Sequence, residues 1–219
     1  DGFFVFSHAD GRISHTESDD ATTIDALAFG AVESSPDSCI RVIERQGEII
    51  ALGTKSSEFF GNEGSAPFAF GRKVAVNVGC AAAGSAAKVD QTVMFIADDN
   101  TVRILNGYTA QRVSTHAVER AILAEPDRAD IVAVTWRYKG HTMYCISGST
   151  FSYCYDLATQ LWHDRKSYGL ERWRISSVTE FNGDLIAGDY AANKLYRMSD
   201  DYGDEADAPL VVEITTPPV

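Results

Sequence analysis

The residues best suited to catalysis or metal binding are five histidines and four cysteines, and they are scattered along the chain. No H-E-x-x-H, H-x-H or C-x-x-C motif joins any of them, although zinc and redox sites are usually recognisable from such spacing. We therefore expect no metal centre and no cofactor. The residues concerned are His8, His15, His116, His141, His163, Cys39, Cys80, Cys145 and Cys154.

Two of the cysteines, Cys145 and Cys154, lie in apolar runs on either side of a Gly-Ser turn, so they could face each other across a hairpin. Four cysteines are too few to hold together a disulfide-stapled domain of this length. A buried free cysteine packs as a small apolar side chain. We expect four free thiols in a reducing cytoplasm, with a Cys145–Cys154 bridge as the alternative.

The motifs of phosphate-binding and nucleophilic enzymes are missing from the sequence. The glycine-rich segments 61–64 and 79–84 lack the lysine of a P-loop, and no G-x-S-x-G elbow occurs. The acidic segment 200–207 lacks the ligand spacing of an EF-hand calcium loop, so we expect a solvated acidic loop. These observations predict a protein that is not an enzyme.

The elements that would position any site are short β-strands joined by tight turns. Asp10-Gly11 and Asn182-Gly183 are typical of hairpin turns. The chain is therefore predicted to be mostly antiparallel β. The pattern predicts five hairpins, formed by residues 3–7 and 12–15, 39–44 and 48–53, 92–97 and 101–105, 131–138 and 142–147, and 177–181 and 185–188.

The hairpins recur along the chain about every 40–50 residues. A repeat of this length with about four strands per unit is typical of β-propeller blades. We predict an all-β fold, a β-propeller over residues 1–199, followed by an acidic loop and a terminal strand in residues 200–219; a two-sheet sandwich is the alternative. The second strands that define the repeat begin near Ile49, Val93, Met143 and Leu185.

The blades are expected to be kelch-like because of one hairpin that runs from Tyr155-Asp156 to Trp162. In the outer hairpin of such a blade, an aspartate caps the turn and a tryptophan covers the gap between neighbouring sheets. We therefore expect Trp162 to be buried and Asp156 to be a turn cap.

One segment, residues 114–124, interrupts the strands and reads as a surface helix capped by Ser114 or Thr115. Its apolar stripe is formed by Val118, Ala121 and Ile122, and Glu125-Pro126 ends it. A further helical turn is expected within residues 19–29.

The polar side of this helix is the predicted interface. Glu119 and Arg120 carry opposite charges, and Leu123 lies off the apolar stripe, where it can anchor a contact. We therefore expect Glu119, Arg120 and Leu123 to contact a partner protein. The alternative is a helix that only fills a junction between blades.

The chain has 19 Lys and Arg against 31 Asp and Glu, a formal net charge of −12. Proteins that grip nucleic acid through its phosphates need clustered basic residues, so this balance argues against that class. Around DNA we expect an acidic lining that repels phosphates at short range. The sequence also has no apolar run of the roughly 20 residues that span a bilayer.

Six segments in a fixed order carry a family resemblance: residues 61–70 (GNEGSAPFAF), 78–82 (VGCAA), 93–96 (VMFI), 107–122 (GYTAQRVSTHAVERAI), 140–144 (GHTMY) and 155–165 (YDLATQLWHDR). Together they resemble the packaged-DNA stabilisation proteins of short-tailed bacteriophages, the tail hub or accessory factors attached below the portal. Residues 82–84 depart from the expected pattern. Proteins of that family are considerably longer, so we expect this chain to correspond to their C-terminal half.

The resemblance implies a structural virion protein, assembled in the host cytoplasm as a ring of copies in the phage tail. Such a ring closes the DNA channel after packaging and connects to needle or fibre proteins. Its partners would be other copies of itself, portal or adaptor proteins and the tail needle or fibre proteins. Genomic DNA would lie nearby without sequence-specific binding, and no membrane would be involved.

Two other functions fit a propeller. One is a monomeric kelch-like module that binds a protein or a glycan on one face. The other is a propeller hydrolase whose carboxylates converge at one end of the central channel. Association with virions would favour the tail hub over the kelch-like module, and carboxylates clustered at one end of the channel would favour the hydrolase.

Overall fold

The computed structural model describes residues 2–32 and 38–213, in which five antiparallel β-sheets follow one another along the chain. Sheets one and two precede residue 77. Sheet one contains β1 (Val5–Ser7), β2 (Arg12–His15) and β3 (Phe29–Ala31), and sheet two contains β4 (Cys39–Arg45), β5 (Glu48–Gly53), β6 (Ser57–Asn62) and β7 (Phe70–Val76).

A short helical turn precedes sheet three, helical segments join sheets three and four, and a loop joins sheets four and five. Sheet three contains β8 (Ala87–Val89), β9 (Thr92–Ile96), β10 (Val102–Asn106) and β11 (Thr109–Arg112), and sheet four contains β12 (Val132–Tyr138), β13 (His141–Ser147), β14 (Ser152–Asp156) and β15 (Leu161–Asp164). Sheet five contains β16 (Ile175–Phe181), β17 (Asp184–Asp189) and β18 (Leu195–Met198), and a two-stranded ladder joins β19 (Asp204–Glu205) to β20 (Ala208–Pro209). The helices are α1 (His116–Ala124) and two 3₁₀ turns, Ala83–Ser85 and Arg128–Asp130.

The first strand of each sheet lies at the centre of the array. Strand β1 contacts β4, β4 contacts β8, β8 contacts β12, and β12 contacts β16. The later strands of each sheet follow outward in sequence order. Sheets placed side by side around their first strands form the predicted β-propeller, so the two-sheet sandwich is wrong. The five predicted hairpins are all confirmed.

Each second strand of the interior sheets is buried on both faces. In β5, Ile49 and Ala51 belong to the core against sheet one, while Ile50 and Leu52 belong to the core against sheet three. Successive side chains of a strand point to opposite faces, so a strand between two cores reads as a continuous apolar run. In this way four cores join the five sheets.

Sheets one and five each expose apolar side chains on one face. The strand register places Phe6 and Phe29 of sheet one on the face turned away from sheet two. Phe181 and Leu195 of sheet five lie on the face turned away from sheet four, and both are more than 70% exposed. Within residues 2–32 and 38–213, no further sheet packs against these two faces.

The predicted surface helix is present, but its cap is not. Val118 and Ile122 are buried as expected. Thr115 precedes the helix and makes no side-chain hydrogen bond to it. Ser114 Oγ donates instead to the side chain of Glu119, 2.6 Å away at Oε1. The Ser114 hydroxyl, which the sequence predicts as a cap, is therefore hydrogen-bonded to the carboxylate of Glu119 in the helix.

The prediction of a helical turn within residues 19–29 is wrong, because this segment forms non-helical turns and bends. Asp20 Oδ1 accepts a hydrogen bond from the backbone N–H of Thr22 at 2.8 Å, and Asp25 Oδ1 accepts one from that of Leu27 at 2.9 Å. Short side-chain acceptors of this kind satisfy the backbone locally and so compete with helix formation.

The turn between β14 and β15 is capped as predicted. Asp156 Oδ1 accepts a hydrogen bond from the backbone N–H of Ala158, and its Oδ2 accepts one from Thr159 Oγ1, both at 2.9 Å. His141 adds a third contact, with Nδ1 2.8 Å from Asp156 Oδ2. The aspartate thus joins its own turn to the turn between β12 and β13.

Trp162 is half-buried, so the expectation of full burial is wrong. Its ring packs against that of Tyr155, with the centroids 5.1 Å apart. Its Nε1 donates a hydrogen bond to the backbone oxygen of Val113 at 2.7 Å. The outer strands leave the sides of the propeller open to water, so the indole covers the gap between sheets three and four from outside.

The acidic segment 200–207 is not simply solvated. Glu205 Oε1 accepts a hydrogen bond from Trp173 Nε1 at 2.8 Å, and Asp200 contacts Tyr138 and Lys139. This segment therefore packs back onto sheet four and the start of sheet five. Of the terminal strand predicted beyond it, residues 214–219 lie outside the described residues.

Candidate interface

Helix α1 lies between the last strand of sheet three and the first strand of sheet four. Its apolar stripe packs into the core that joins these sheets, which leaves the opposite side in solvent. His116, Arg120 and Leu123 are exposed, and the spacing of these residues places them on one side of the helix. Leu123 is 58% exposed, an apolar side chain with no place in the core.

Glu119 is held by its own chain. Arg112 donates to both carboxylate oxygens at 2.8 Å, in the two-pronged geometry typical of arginine and carboxylate. Ser114 donates to the same group, and His116 Nδ1 lies 3.3 Å from Oε2. Burial alone would raise the pKa of Glu119, but the hydrogen bonds from Ser114 and Arg112 outweigh it and lower the pKa.

The predicted interface residues therefore separate into two groups. Arg120 and Leu123 are exposed together on the solvent side of α1. Glu119 is only 14% exposed at its side chain, and its oxygens face Arg112. Glu119 fixes the start of the helix, and Arg120 and Leu123 remain available to a partner.

Sequence reasoning missed the role of Arg112. This residue is the last of β11 and precedes Glu119 by seven positions. Side chains on a helix surface pair at a spacing of three or four residues, so the sequence gives no reason to pair these two. The two meet because the chain turns from β11 into α1. We call the exposed side chains of His116, Arg120 and Leu123 the α1 patch, which Arg112 and Glu119 hold in place.

A second polar surface lies at the other ends of the sheets. The turns after β12 and β16 border an open cleft of about 300 Å³. Basic and acidic side chains alternate around it, and Arg197 Nη1 lies 3.8 Å from Asp184 Oδ1. This mixture of opposite charges gives an exposed polar cleft and not an enclosed binding site.

The inner strands do not form the acidic lining that the net charge suggests. They carry more basic than acidic side chains, and the basic ones have partners: Arg45 pairs with Glu48, Lys88 with Glu44 and Arg137 with Asp90, while Arg41 donates to the backbone oxygen of Ala83. Net charge is a sum over the whole chain and does not fix where the charges lie. The acidic excess lies elsewhere, in part in turns and in the segment 200–207.

The described ranges, 2–32 and 38–213, hold no group of three or more His, Cys, Asp and Glu side chains that could bind a metal ion. Among these same residues no helix is long and apolar enough to cross a membrane. His8 contacts Ser14, and His15 accepts a hydrogen bond from the backbone N–H of Ala69, whereas His141 contacts Asp156 in sheet four.

A family model described as "Bacteriophage P22 Gp10, beta-propeller" matches residues 1–203. The chain belongs to this family. The match includes all five sheets, α1 and the α1 patch, so the surface described above is part of the Gp10-family propeller. Membership in this phage family supports a structural role in a virion, as the resemblance implied.

One solved structure supports the fold with a TM-score above 0.5. BamB from Moraxella catarrhalis is 12% identical over 86% of this chain, with a TM-score of 0.55, and the match covers 52% of the BamB chain. The Cps50 (Swd1) β-propeller domain of Myceliophthora thermophila is 7% identical over 86% of this chain and 60% of that chain, with a TM-score of 0.46. This chain thus spans about half the length of BamB. No curated protein sequence matches it significantly.

Proposed function

We propose that this Gp10-family propeller is part of a phage tail hub, in which several copies form a ring below the portal. The ring closes the DNA channel after packaging and connects to needle or fibre proteins. Its partners are other copies of itself, portal or adaptor proteins, and needle or fibre proteins. The role is structural, without catalysis and without a cofactor.

The observation that carries this proposal is the family match over residues 1–203. The mixture of charges on the inner strands agrees with a wall that DNA passes without being held. Basic side chains bind phosphates tightly when they are clustered and free, whereas here Arg45, Lys88 and Arg137 each face a carboxylate.

The α1 patch is the contact surface that we propose for assembly. An exposed leucine beside an arginine gives an apolar centre with a polar rim, the composition typical of specific protein contacts. Because α1 is anchored by Val118 and Ile122, the patch is presented on a rigid element. Binding there would cost little conformational entropy.

The experiment replaces Arg120 with glutamate and Leu123 with alanine in one variant. We expect an unchanged circular dichroism spectrum, together with a smaller mass by light scattering or lower incorporation into phage particles. A matched control combines Lys166→Glu with Leu161→Ala, which makes the same charge reversal and the same leucine truncation on another exposed surface and should assemble normally.

Two results would count against the proposal. If the α1 variant assembles as well as the control, the contact lies elsewhere. If the unaltered protein neither self-associates nor enters particles, the hub function itself is wrong. A DNA-binding titration at about 0.15 M salt should show no tight complex, since no free basic cluster is present among the described inner strands.

A further inference from the structure

Two cysteines face each other inside sheet four. Cys145 in β13 is the direct partner of Cys154 in β14. The backbone N–H of Leu157 donates to the oxygen of Thr142 at 3.0 Å, which makes these two residues a hydrogen-bonded pair of the ladder. Hydrogen-bonded and non-hydrogen-bonded pairs alternate along antiparallel strands, so Cys145 and Cys154, three positions further on, form a non-hydrogen-bonded pair.

Non-hydrogen-bonded partners are the closer of the two kinds. Their Cα atoms lie about 4.5 Å apart, within the range of about 4.4–6.8 Å that a disulfide requires. The next pair of this kind on the same face is Ser147 and Ser152, whose hydroxyl oxygens are 2.7 Å apart. Side chains at these positions therefore meet across the two strands.

The third strand adds a basic partner. His163 in β15 is the direct neighbour of Cys154 on its other side. Burial opposes ionisation, but hydrogen bonds from Cys145 and His163 and the charge of Arg165 lower the pKa of Cys154. At Cys80, in contrast, burial outweighs the hydrogen bonds with Ala82 and Ser85 and the charge of Arg41, and it raises the pKa to about 11.

Sheet five covers the pair. Both thiols are fully buried in the core between sheets four and five, beneath Trp173, Ile175 and Ala187. Within the part of the chain that the structure describes, this core holds sheet five on one face only. Local opening of such an element costs less than global unfolding, so the thiols react when sheet five moves away from sheet four.

We propose that Cys145 and Cys154 form a thiol–disulfide exchange site, which reacts with a low-molecular-weight disulfide and closes to a cross-strand disulfide within sheet four. The thiolate of Cys154 attacks one sulfur of oxidised glutathione and displaces one glutathione, which takes up the proton lost by Cys154. The thiolate of Cys145 then attacks the Cys154 sulfur and displaces the second glutathione, which takes up the other proton. Two protein thiols are oxidised and one glutathione disulfide is reduced.

This site gives the propeller two covalent states. In a reducing cytoplasm the thiols stay free, and in an oxidising medium outside the cell they close. The bond would fasten β13 to β14 beneath sheet five, independently of whether the chain assembles through the α1 patch.

The test incubates the protein with oxidised glutathione and counts thiols by alkylation in denaturant. We expect four thiols before incubation and two after it, with peptide mapping showing Cys145 joined to Cys154. Cys145→Ser and Cys154→Ser should each abolish the new bond, whereas Cys80→Ser should still form it. His163→Gln should slow closure severalfold near pH 7 and leave the final product unchanged.

Three outcomes would overturn the proposal. The first is that the folded protein keeps all four thiols at a glutathione concentration that oxidises the unfolded chain. Another is a bond that includes Cys39 or Cys80. The third is a stable mixed disulfide of glutathione with Cys154, since Cys145 would then be out of reach. Peptide mapping of the unaltered protein decides the matter even if a serine variant fails to fold.

Discussion

Replacing Trp162 tests how sheets three and four are joined. The indole packs on Tyr155 and donates to the backbone oxygen of Val113, which follows the last strand of sheet three. One side chain on the outer strand of sheet four thus holds the segment that leads into α1. Its ring contact and its hydrogen bond can be removed separately.

The two contributions can be estimated from the geometry. Truncation to alanine removes about 100 Å² of apolar contact from a half-buried indole, or about 2.5 kcal/mol at 25 cal/mol per Å². Loss of the hydrogen bond to Val113 adds about 1 kcal/mol. We therefore expect Trp162→Ala to lower the free energy of unfolding by about 3.5 kcal/mol. Trp162→Phe, which keeps most of the ring contact, should lower it by about 1 kcal/mol.

The assay is equilibrium unfolding in urea, followed by far-ultraviolet circular dichroism at pH 7. Leu161→Ala is the matched control, because Leu161 is the preceding residue on β15 and is 66% exposed. It should change the free energy of unfolding by less than about 0.5 kcal/mol. Equal losses for Trp162→Phe and Trp162→Ala would refute the ring contribution. A loss no larger than that of the control would refute the whole account of Trp162.

Three further predictions concern the interior and the turns. Hydrogen bonds from Ala158, His141 and Thr159 outweigh burial and lower the pKa of Asp156 in the folded protein. The carboxylate therefore stabilises the fold above the pKa that Asp156 has in the unfolded chain, and this stabilisation is lost as the pH falls through the lower pKa of the folded state. Asp156→Ala should therefore cost about 1–2 kcal/mol in urea unfolding at pH 7, and the difference from the unaltered protein should shrink toward pH 2. Tyr144→Phe should cost about 1–2 kcal/mol in the same assay, because it leaves the buried backbone oxygen of Ser85 without the hydroxyl that donates to it at 2.7 Å; a cost near zero would mean that water reaches this oxygen. Alkylation in denaturant of protein purified without reductant should find four thiols, and finding two would show that a bridge forms before any oxidant is added.

Features set by neighbouring residues could be predicted from the sequence. Asn182 and Gly183 both have positive φ, as a tight hairpin turn requires. Asparagine followed by glycine is the dipeptide that favours this conformation, so the sequence predicts it. The repeat of second strands was predictable because a strand between two cores must be apolar on both faces. Asp156 was recognisable as a turn cap for the same local reason.

Features set by distant residues could not be predicted. Glu119 looks like a free charge on a helix until β11 brings Arg112 beside it. The inner strands hold basic residues although the chain is acidic overall, because composition carries no information on position. Trp162 is half-buried because its neighbours are outer strands. The sequence of a strand alone does not predict how far that strand lies from the centre of the propeller.

The arrangement of five sheets joined by four cores also sets the order in which the molecule opens. Sheets two, three and four each share two cores with their neighbours, whereas sheets one and five share one. In arrays that contact only their neighbours, the end units fray first. Amide hydrogens of β9 should therefore exchange slowest, and those of β3 and β18 fastest. Within residues 2–32 and 38–213, stability should therefore be highest in sheet three and decrease toward sheets one and five.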